Sequence, residues 1–220
     1  MSQFHRVFKI PFVCLLLCGF VLPGCNTVYY KAWEKLGYEK RDLLVSQVQD
    51  TREQQEETKQ QFASALEQFR ATFEFEAGEV GDAYDSLKSE YESSKSEADR
   101  LRSEIADVKS IGEDLFDEWD DDIDQQTVED YKKRMKQLRD ATRKSYDQMV
   151  QKMDEAAEKM DPVLEAFQGQ VLMLKSSLNA RAIASLQTES QGLIDDIEQL
   201  IAEMNKSIAE ADEFISQMGG

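Results

Sequence analysis

The chain has 220 residues and a formal net charge of −18, with 44 acidic and 26 basic residues. This acidic balance argues against binding to a nucleic-acid backbone, which needs a basic surface that releases counterions. The length fits one or two domains. Only one His and three Cys are present, so their positions decide which kinds of chemistry the chain can support.

Residues 1–24 have the layout of a secretory signal. Arg6 and Lys9 supply positive charge, and an apolar run of about 13 residues follows over 10–22. The run is shorter than the ~20 residues that a membrane-spanning helix needs. It ends in Leu-Pro-Gly-Cys at 22–25, which resembles the processing box of bacterial lipoproteins, with Cys25 as the lipidated residue. An ordinary cleaved signal or an uncleaved anchor is the alternative.

The residues after the lipidation box carry a prediction of location. Asn26 follows the cysteine. In this respect the chain resembles lipoproteins of enteric-type bacteria that lack Asp at this position and are sorted to the outer membrane. Tyr29, Tyr30 and Trp33 are predicted to lie beside the lipid headgroups, where aromatic side chains are enriched. Packing of these rings on the end of a helical bundle is the alternative. Residues 25–37 are therefore predicted to form a membrane-proximal tether, facing the periplasm.

Removal of the signal changes the available chemistry. It takes away the single His, two of the Cys and two basic residues, so the net charge becomes −20. With Cys25 lipidated, neither a thiol nor an imidazole remains. This excludes Cys–His nucleophile pairs, Ser-His-Asp triads and zinc sites built from Cys or His. We therefore expect no enzyme, no catalytic residue, no cofactor, no metal site and no small-molecule ligand, although paired carboxylates stay open as a catalytic arrangement.

The apolar pattern of the mature chain predicts an all-α fold. Apolar residues recur at alternating spacings of three and four, which keeps one stripe of a helix facing a partner helix. We predict an elongated antiparallel bundle, or coiled coil, of about four long helices over residues 38–220. Three seams are visible, over 80–119, 128–160 and 164–218. The second seam begins with Val128, Tyr131, Met135, Leu138 and Thr142.

Turn and capping residues predict where the first helices end. The first helix is expected over about 28–76 and the second over about 82–119, separated by a glycine-containing turn. Residues 120–126 read as a polar gap, with Thr127 as the N-cap of the third helix. Residues 49–61 contain no large apolar side chain, so this stretch is predicted to project from the core or to curl loosely.

The last helix is predicted to begin at Asp161 and Pro162. Asp is favoured as an N-cap, and Pro is favoured at the first helical position. This helix is expected either to run to about residue 217 or to break near Asn179. Asn179 and Arg181 interrupt the seam where its phase shifts. They are interpreted as residues that fix helix register or a kink, and a partner surface is the alternative.

Two charged segments are candidate binding sites. Eight of the twelve residues over 113–124 are acidic, and Glu118, Asp120 and Asp122 partly match the spacing of a calcium loop. The glycine that such a loop needs is absent, so a solvated loop is the preferred interpretation. The third helix carries seven basic residues, which are expected to pair with acidic neighbouring helices. Docking to anionic lipid or peptidoglycan is the alternative. The seven are Lys132, Lys133, Arg134, Lys136, Arg139, Arg143 and Lys144.

Several blocks of sequence resemble a known family. They include Tyr29-Tyr30, residues 32–37 and 40–44, Leu-Phe-Asp-Glu-Trp at 115–119, and Leu-Asn-Ala-Arg-Ala-Ile at 178–183. Together they resemble the bacterial lipoproteins grouped as domain of unknown function 2959. The resemblance implies a mostly helical lipoprotein of the Gram-negative envelope with no assigned activity.

The sequence thus leads to one preferred function and one alternative. We expect an outer-membrane lipoprotein that acts as a non-enzymatic scaffold, spacer or adaptor through helix contacts with an envelope protein or with itself. A binding module for cell-wall polymer or divalent cations is the alternative. Nucleic acid is not an expected partner.

Overall fold

A computed structural model describes the backbone of residues 25–72, 80–176 and 190–218 and the side chains of the same segments from residue 40 onward. Four α-helices make up almost all of this part of the chain. They are α1 (Cys25–Ala71), α2 (Val80–Gln125), α3 (Glu129–Ser176) and α4 (Gln191–Met218). The chain divides into two compact units, Met1–Lys35 and Leu36–Gly220, and the second contains the helical bundle.

The bundle is built from the predicted heptad stripes. Side chains spaced three and four residues apart on α2, α3 and α4 are buried against one another, as in α3 from Met149 to Met160. Burial of these stripes removes apolar surface from water, which is the main force that holds such helices together. The prediction of an all-α bundle of four long helices is confirmed. The largest fully buried rings are Phe62, Phe69, Phe116, Phe167 and Phe214.

Neighbouring helices in the bundle run antiparallel. In each pair of helices, the residue numbers of successive contacts rise along one helix and fall along the other. The four pairs α1–α2, α2–α3, α3–α4 and α4–α1 all follow this rule, so the helices close into a four-membered bundle. The contacts are Gln47–Glu104 and Gln61–Glu90, Arg102–Asp161 and Lys109–Asp154, Ser145–Gln217 and Lys159–Glu203, and Arg52–Asp212 and Arg70–Glu198.

The prediction that residues 49–61 project from the core is wrong. Thr51, Gln55 and Thr58 are completely buried in the bundle. Each of these three side chains donates a hydrogen bond inside the bundle. The Thr51 and Thr58 hydroxyls each donate to a backbone carbonyl one turn earlier at 2.8 Å. The Gln55 amide donates to the Ser207 hydroxyl of α4 at 2.5 Å. Buried polar groups that are hydrogen-bonded in this way do not need an apolar seam to enter a core.

A repeating set of side-chain pairs joins α1 to α2 along this polar stretch. Gln47, Gln54 and Gln61 are spaced by one heptad, and each amide donates to a glutamate carboxylate of α2 at 2.6 to 2.7 Å. The acceptors Glu104, Glu97 and Glu90 are spaced by one heptad in the opposite direction. A slip of the helices by less than a heptad would break all three hydrogen bonds, so the pairs specify the register of α1 on α2.

Pro162 lies inside α3 and does not begin a helix, contrary to the prediction. An internal proline removes one helical hydrogen bond and costs roughly 3 kcal/mol. Here the neighbouring residues Met160, Val163 and Phe167 are all buried, so their packing outweighs that cost. Asp161 is not a cap; its carboxylate accepts a hydrogen bond from Arg102 of α2.

The predicted polar gap at 120–126 is helical over most of its length, because α2 continues to Gln125. The apolar stripe does not stop at Trp119: Ile123, one helical turn later, is 1% exposed and extends the seam. The cap of α3 also differs from the prediction. The Val128 carbonyl accepts the first helical hydrogen bond, from the Lys132 amide, so Val128 occupies the position assigned to Thr127.

Three further boundaries differ by a few residues. Helix α1 begins at Cys25 and ends at Ala71, and α2 begins at Val80 within the predicted turn. The question whether the last predicted helix breaks near Asn179 lies outside the described residues, and α4 begins at Gln191. Within the described part of the chain, none of the helices has a stretch long and apolar enough to cross a bilayer.

Candidate functional site

The residues predicted to form sites are only partly within the described structure. Cys25, Tyr29, Tyr30 and Trp33 belong to the first turns of α1, where the backbone but not the side chains is described. Asn179 and Arg181 lie outside the described residues. The predictions for lipidation, membrane proximity and a partner surface at these positions therefore stay predictions.

One end of the bundle brings the two charged segments together. It is formed by the first described side chains of α1, the last turns of α2 and α4, and the first turns of α3. Lys40 Nζ lies 2.8 Å from Glu118 Oε2. The Arg41 guanidinium donates to the backbone carbonyl of Met218, the last residue of α4. The acidic end of α2 and the basic start of α3 therefore meet beside Lys40 and Arg41 of α1, about fifteen positions after Cys25.

The acidic segment 113–124 is an ion-paired helix end and not a loop. Asp120 pairs with Arg139 at 2.7 Å, and Asp124 pairs with Lys132 at 3.4 Å. A calcium loop of the matched spacing needs a non-helical turn in the middle, whereas this segment is α-helical throughout. Among the described residues, no three or more His, Cys, Asp or Glu side chains are grouped so that they could hold a metal ion.

The pKa values at this end follow from the same contacts. The hydrogen bond to Glu118 raises the pKa of the Lys40 ammonium, and the neighbouring acidic charges add to it. Burial raises the pKa of the Asp122 carboxyl, and the nearby Glu118 and Asp121 charges act in the same direction.

The seven basic residues of α3 divide into two groups. Lys132 and Arg139 pair with α2, and Arg143 pairs with Asp147 of its own helix at 3.0 Å. For Lys132 and Arg139 the preferred interpretation, pairing with an acidic neighbouring helix, describes what is found. The other four are exposed and form no ion pair with a described residue, namely Lys133, Arg134, Lys136 and Lys144.

The first turns of α3 also expose apolar side chains that the second seam was predicted to bury. Val128, Tyr131 and Leu138 have 47%, 57% and 61% of their surface exposed. The prediction is wrong at these positions because α4 ends at Met218, level with Ser145, and does not extend along the start of α3. We refer to Val128, Tyr131 and Leu138 as the uncovered row.

A cluster of aromatic side chains closes the core next to this end. Tyr146 packs edge-on against Phe116 and Phe214, with ring centroids 5.3 and 6.1 Å apart. The Arg143 guanidinium lies over the Phe116 ring at 4.8 Å, a cation–π contact. The Tyr146 hydroxyl donates toward the Val108 carbonyl of α2 at 3.3 Å. Burial of the phenol raises the pKa of Tyr146 to about 12, well above the ordinary value of 10.0.

The raised pKa of Tyr146 predicts a loss of stability in alkali. Below about pH 10 the phenol is protonated in both states; between about pH 10 and 12 the unfolded chain loses that proton and the folded chain keeps it. The free energy of unfolding should therefore fall by roughly 2–3 kcal/mol across this window. Urea unfolding at several pH values should show an alkaline decrease that is larger in wild type than in Tyr146→Phe by roughly this amount. Tyr131→Phe, an exposed control, should behave as wild type; equal alkaline loss in all three would contradict the assignment.

Two features of this region were missed by sequence reasoning. The uncovered row has the same spacing of three and four as a buried seam. The apolar pattern of α3 cannot predict where α4 ends, so it cannot show that these residues stay exposed. The extension of α2 was visible in principle, since Phe116, Trp119 and Ile123 continue the spacing of three and four. A wider search for apolar positions beyond the acidic residues would have found it.

Comparison with known proteins places the chain at the level of family. No curated protein and no solved structure is significantly similar to it. The resemblance to domain of unknown function 2959 is confirmed, since the matching family model covers most of the described residues. The lipoprotein part of that resemblance stays a prediction. Because the model described as protein of unknown function DUF2959 matches residues 29–218, the chain belongs to that family.

Proposed function

We propose that the protein is a lipid-anchored helical scaffold, spacer or adaptor of the bacterial cell envelope. One observation carries the proposal: Cys25 ends a signal-like segment in a lipoprotein-type box, and the same residue begins the 47-residue helix α1, which enters the bundle. Lipid attached there would be joined to the bundle by a continuous helix. The lipid would then keep the surfaces of the helical bundle near a membrane.

A structural role fits the chemistry left in the mature chain better than a catalytic one does. After removal of residues 1–24 the chain retains no His, and its one Cys is used by the lipid. The interior of the bundle is filled with aliphatic, methionine and phenylalanine side chains. The buried polar residues of α1 are engaged in hydrogen bonds between helices, as with Gln55 and Ser207. Their contacts serve helix register.

The compartment follows from the residue after the cysteine. Asn26 stands where Asp would favour retention at the inner membrane, so we propose the periplasmic face of the outer membrane. The aromatic side chains of Tyr29, Tyr30 and Trp33 follow within nine residues of Cys25 and suit the headgroup region. Residues 25–37 would serve as the membrane-proximal part of α1.

A binding module for cell-wall polymer or divalent cations is the alternative. Its acidic candidate segment is weakened by the ion pairs of Asp120 with Arg139 and of Asp124 with Lys132. Carboxylates that already have cationic partners must give them up before they bind a metal ion. We therefore keep the scaffold as the proposal.

Substitution of Cys25 tests the anchor. In Cys25→Ala the acyl chains have no attachment site, so the protein should move from the membrane pellet to the soluble periplasmic fraction. Quantitative immunoblotting of separated fractions measures the shift. Cys14→Ala and Cys18→Ala are matched controls, because they remove cysteines of the signal segment only; both variants should remain in the membrane pellet. Unchanged membrane association of a processed Cys25→Ala protein would overturn the anchor.

A further inference from the structure

The uncovered row lies beyond the end of α4, as the described residues place that end. Ser145 Oγ donates to Gln217 Oε1 of α4 at 2.5 Å, and α4 ends one residue later. Tyr131 and Leu138 precede Ser145 by two heptads and one heptad, so they lie on the side of α3 that faces α4 further along. Residues 129–144 thus present an α4-facing stripe with no α4 beside it, over about 24 Å of helix.

Charge sets this segment apart from the rest of the molecule. Residues 129–144 hold seven basic and three acidic residues in a chain whose net charge is −18. Arg134 lies between Tyr131 and Leu138 on the same side of the helix. Asp120 and Asp124 of α2 each neutralise one basic residue of the segment, Arg139 and Lys132. The four exposed basic residues named above form no ion pair with a described residue, so the segment keeps part of its positive charge.

From this juxtaposition we propose that the first four turns of α3 dock on the surface of a bilayer that contains anionic phospholipids. The proposal rests on the proposed function in one respect, since the anchor would hold this end of the bundle near a membrane. It adds a second contact, made by the folded bundle itself. The uncovered row would enter the boundary between headgroups and acyl chains, and the unpaired basic residues would contact phosphates.

The chemistry of the segment matches an interfacial helix. Such helices combine apolar side chains on one side with Lys and Arg around them, and they lie in the plane of the interface. Tyr131 has an apolar ring with a polar tip, which suits the headgroup level. Long Lys and Arg stems let the charged groups reach phosphates while their methylenes cover apolar surface. Each basic residue near an anionic surface is worth about 1 kcal/mol, or roughly a fivefold change in binding.

The acidic remainder of the molecule decides the orientation. A chain with a net charge of −18 is repelled by an anionic surface except where its basic residues are presented. Docking should therefore occur through the start of α3 alone.

Flotation with vesicles tests the proposal. Mature Cys25→Ala protein, which has no lipid, is mixed with vesicles of phosphatidylcholine and phosphatidylglycerol or of phosphatidylcholine alone. We expect binding to the anionic vesicles only, and less binding as salt is raised. Tyr131→Glu combined with Leu138→Glu should lower the bound fraction at least fivefold. Arg134→Gln combined with Lys144→Gln should also lower it at least fivefold, because each basic residue near the surface contributes roughly a fivefold change in binding.

A matched control separates docking from a general effect of added charge. Leu172 is 52% exposed near the other end of α3, so Leu172→Glu adds a negative charge outside the proposed surface, and this variant should bind as the parent does. Circular dichroism confirms that each variant is folded. Absence of binding to anionic vesicles, equal binding to neutral ones, or burial of the row in a soluble oligomer found by light scattering would overturn the proposal. None of these results bears on the anchor, which the fractionation of Cys25→Ala tests separately.

Discussion

Replacing Phe167 with alanine is expected to lower the free energy of unfolding by about 3–5 kcal/mol. The ring is fully buried and packs edge-on against Phe69 of α1 and Tyr91 of α2, with both centroid distances 5.9 Å. Because the three rings come from three different helices, truncation leaves a cavity that no single helix can close by shifting. Urea unfolding followed by circular dichroism measures the loss.

The control for this substitution lies on the same helix. Leu172 is half-exposed, so Leu172→Ala should change the free energy of unfolding by no more than about 0.5 kcal/mol. A loss in Phe167→Ala as small as that of the control would contradict the packing of α1, α2 and α3 around this ring.

Replacing Gly112 with alanine is expected to destabilise the bundle by about 1–3 kcal/mol. A Cβ at this position would overlap the ring and hydroxyl of Tyr146. The ring cannot move aside freely, because Phe116 and Phe214 hold its edges. In an open helical position the same substitution is favourable by up to about 1 kcal/mol, so the overlap must outweigh this gain. Thermal and urea unfolding give the sign and the size.

Gly169 supplies the control with the opposite sign. It lies on the exposed side of α3, and a Cβ there would meet nothing within 4 Å. Gly169→Ala should therefore stabilise the protein. In the double variant Gly112→Ala with Tyr146→Leu the overlap is relieved. The double variant should therefore lose less free energy of unfolding than the sum of the losses of the two single variants. Stabilisation by Gly112→Ala alone would rule out the close contact of α2 with Tyr146.

Much of the fold could be predicted because helix stripes are local. Spacings of three and four on one helix need no knowledge of the others, and the buried stripes of α2, α3 and α4 follow them. The aromatic and methionine positions Phe167, Met149 and Met153 were placed in the core on this basis and are fully buried. Four helices joined by short connections then pack antiparallel.

The helix boundaries could not be predicted because the deciding contacts are between helices. Pro162 has the signature of a helix start, yet the buried residues on both sides keep α3 continuous. The acidic residues at 120–124 have the signature of a loop, yet Ile123 and the pair of Asp120 with Arg139 keep them helical. Local preference and tertiary packing disagree at these points, and packing prevails.

The polar stretch of α1 and the uncovered row of α3 were misread for one shared reason. Burial of a residue depends on what lies opposite it, which the residue's own helix does not encode. Gln54 and Gln61 enter the bundle because glutamates of α2 accept their amide hydrogens. Tyr131 and Leu138 stay outside because α4 ends before it reaches them.

The central claim, that the bundle is a scaffold which contacts another envelope protein or a second copy, is tested by site-specific crosslinking in intact cells. A photo-activated amino acid is placed at exposed Leu43 or Leu172, or at fully buried Met153 as the control. The account predicts a discrete crosslinked species, identified by mass spectrometry, from at least one exposed position and none from Met153, with loss of that species in Cys25→Ala. Monomer alone at every exposed position, with the protein anchored and folded, would contradict it.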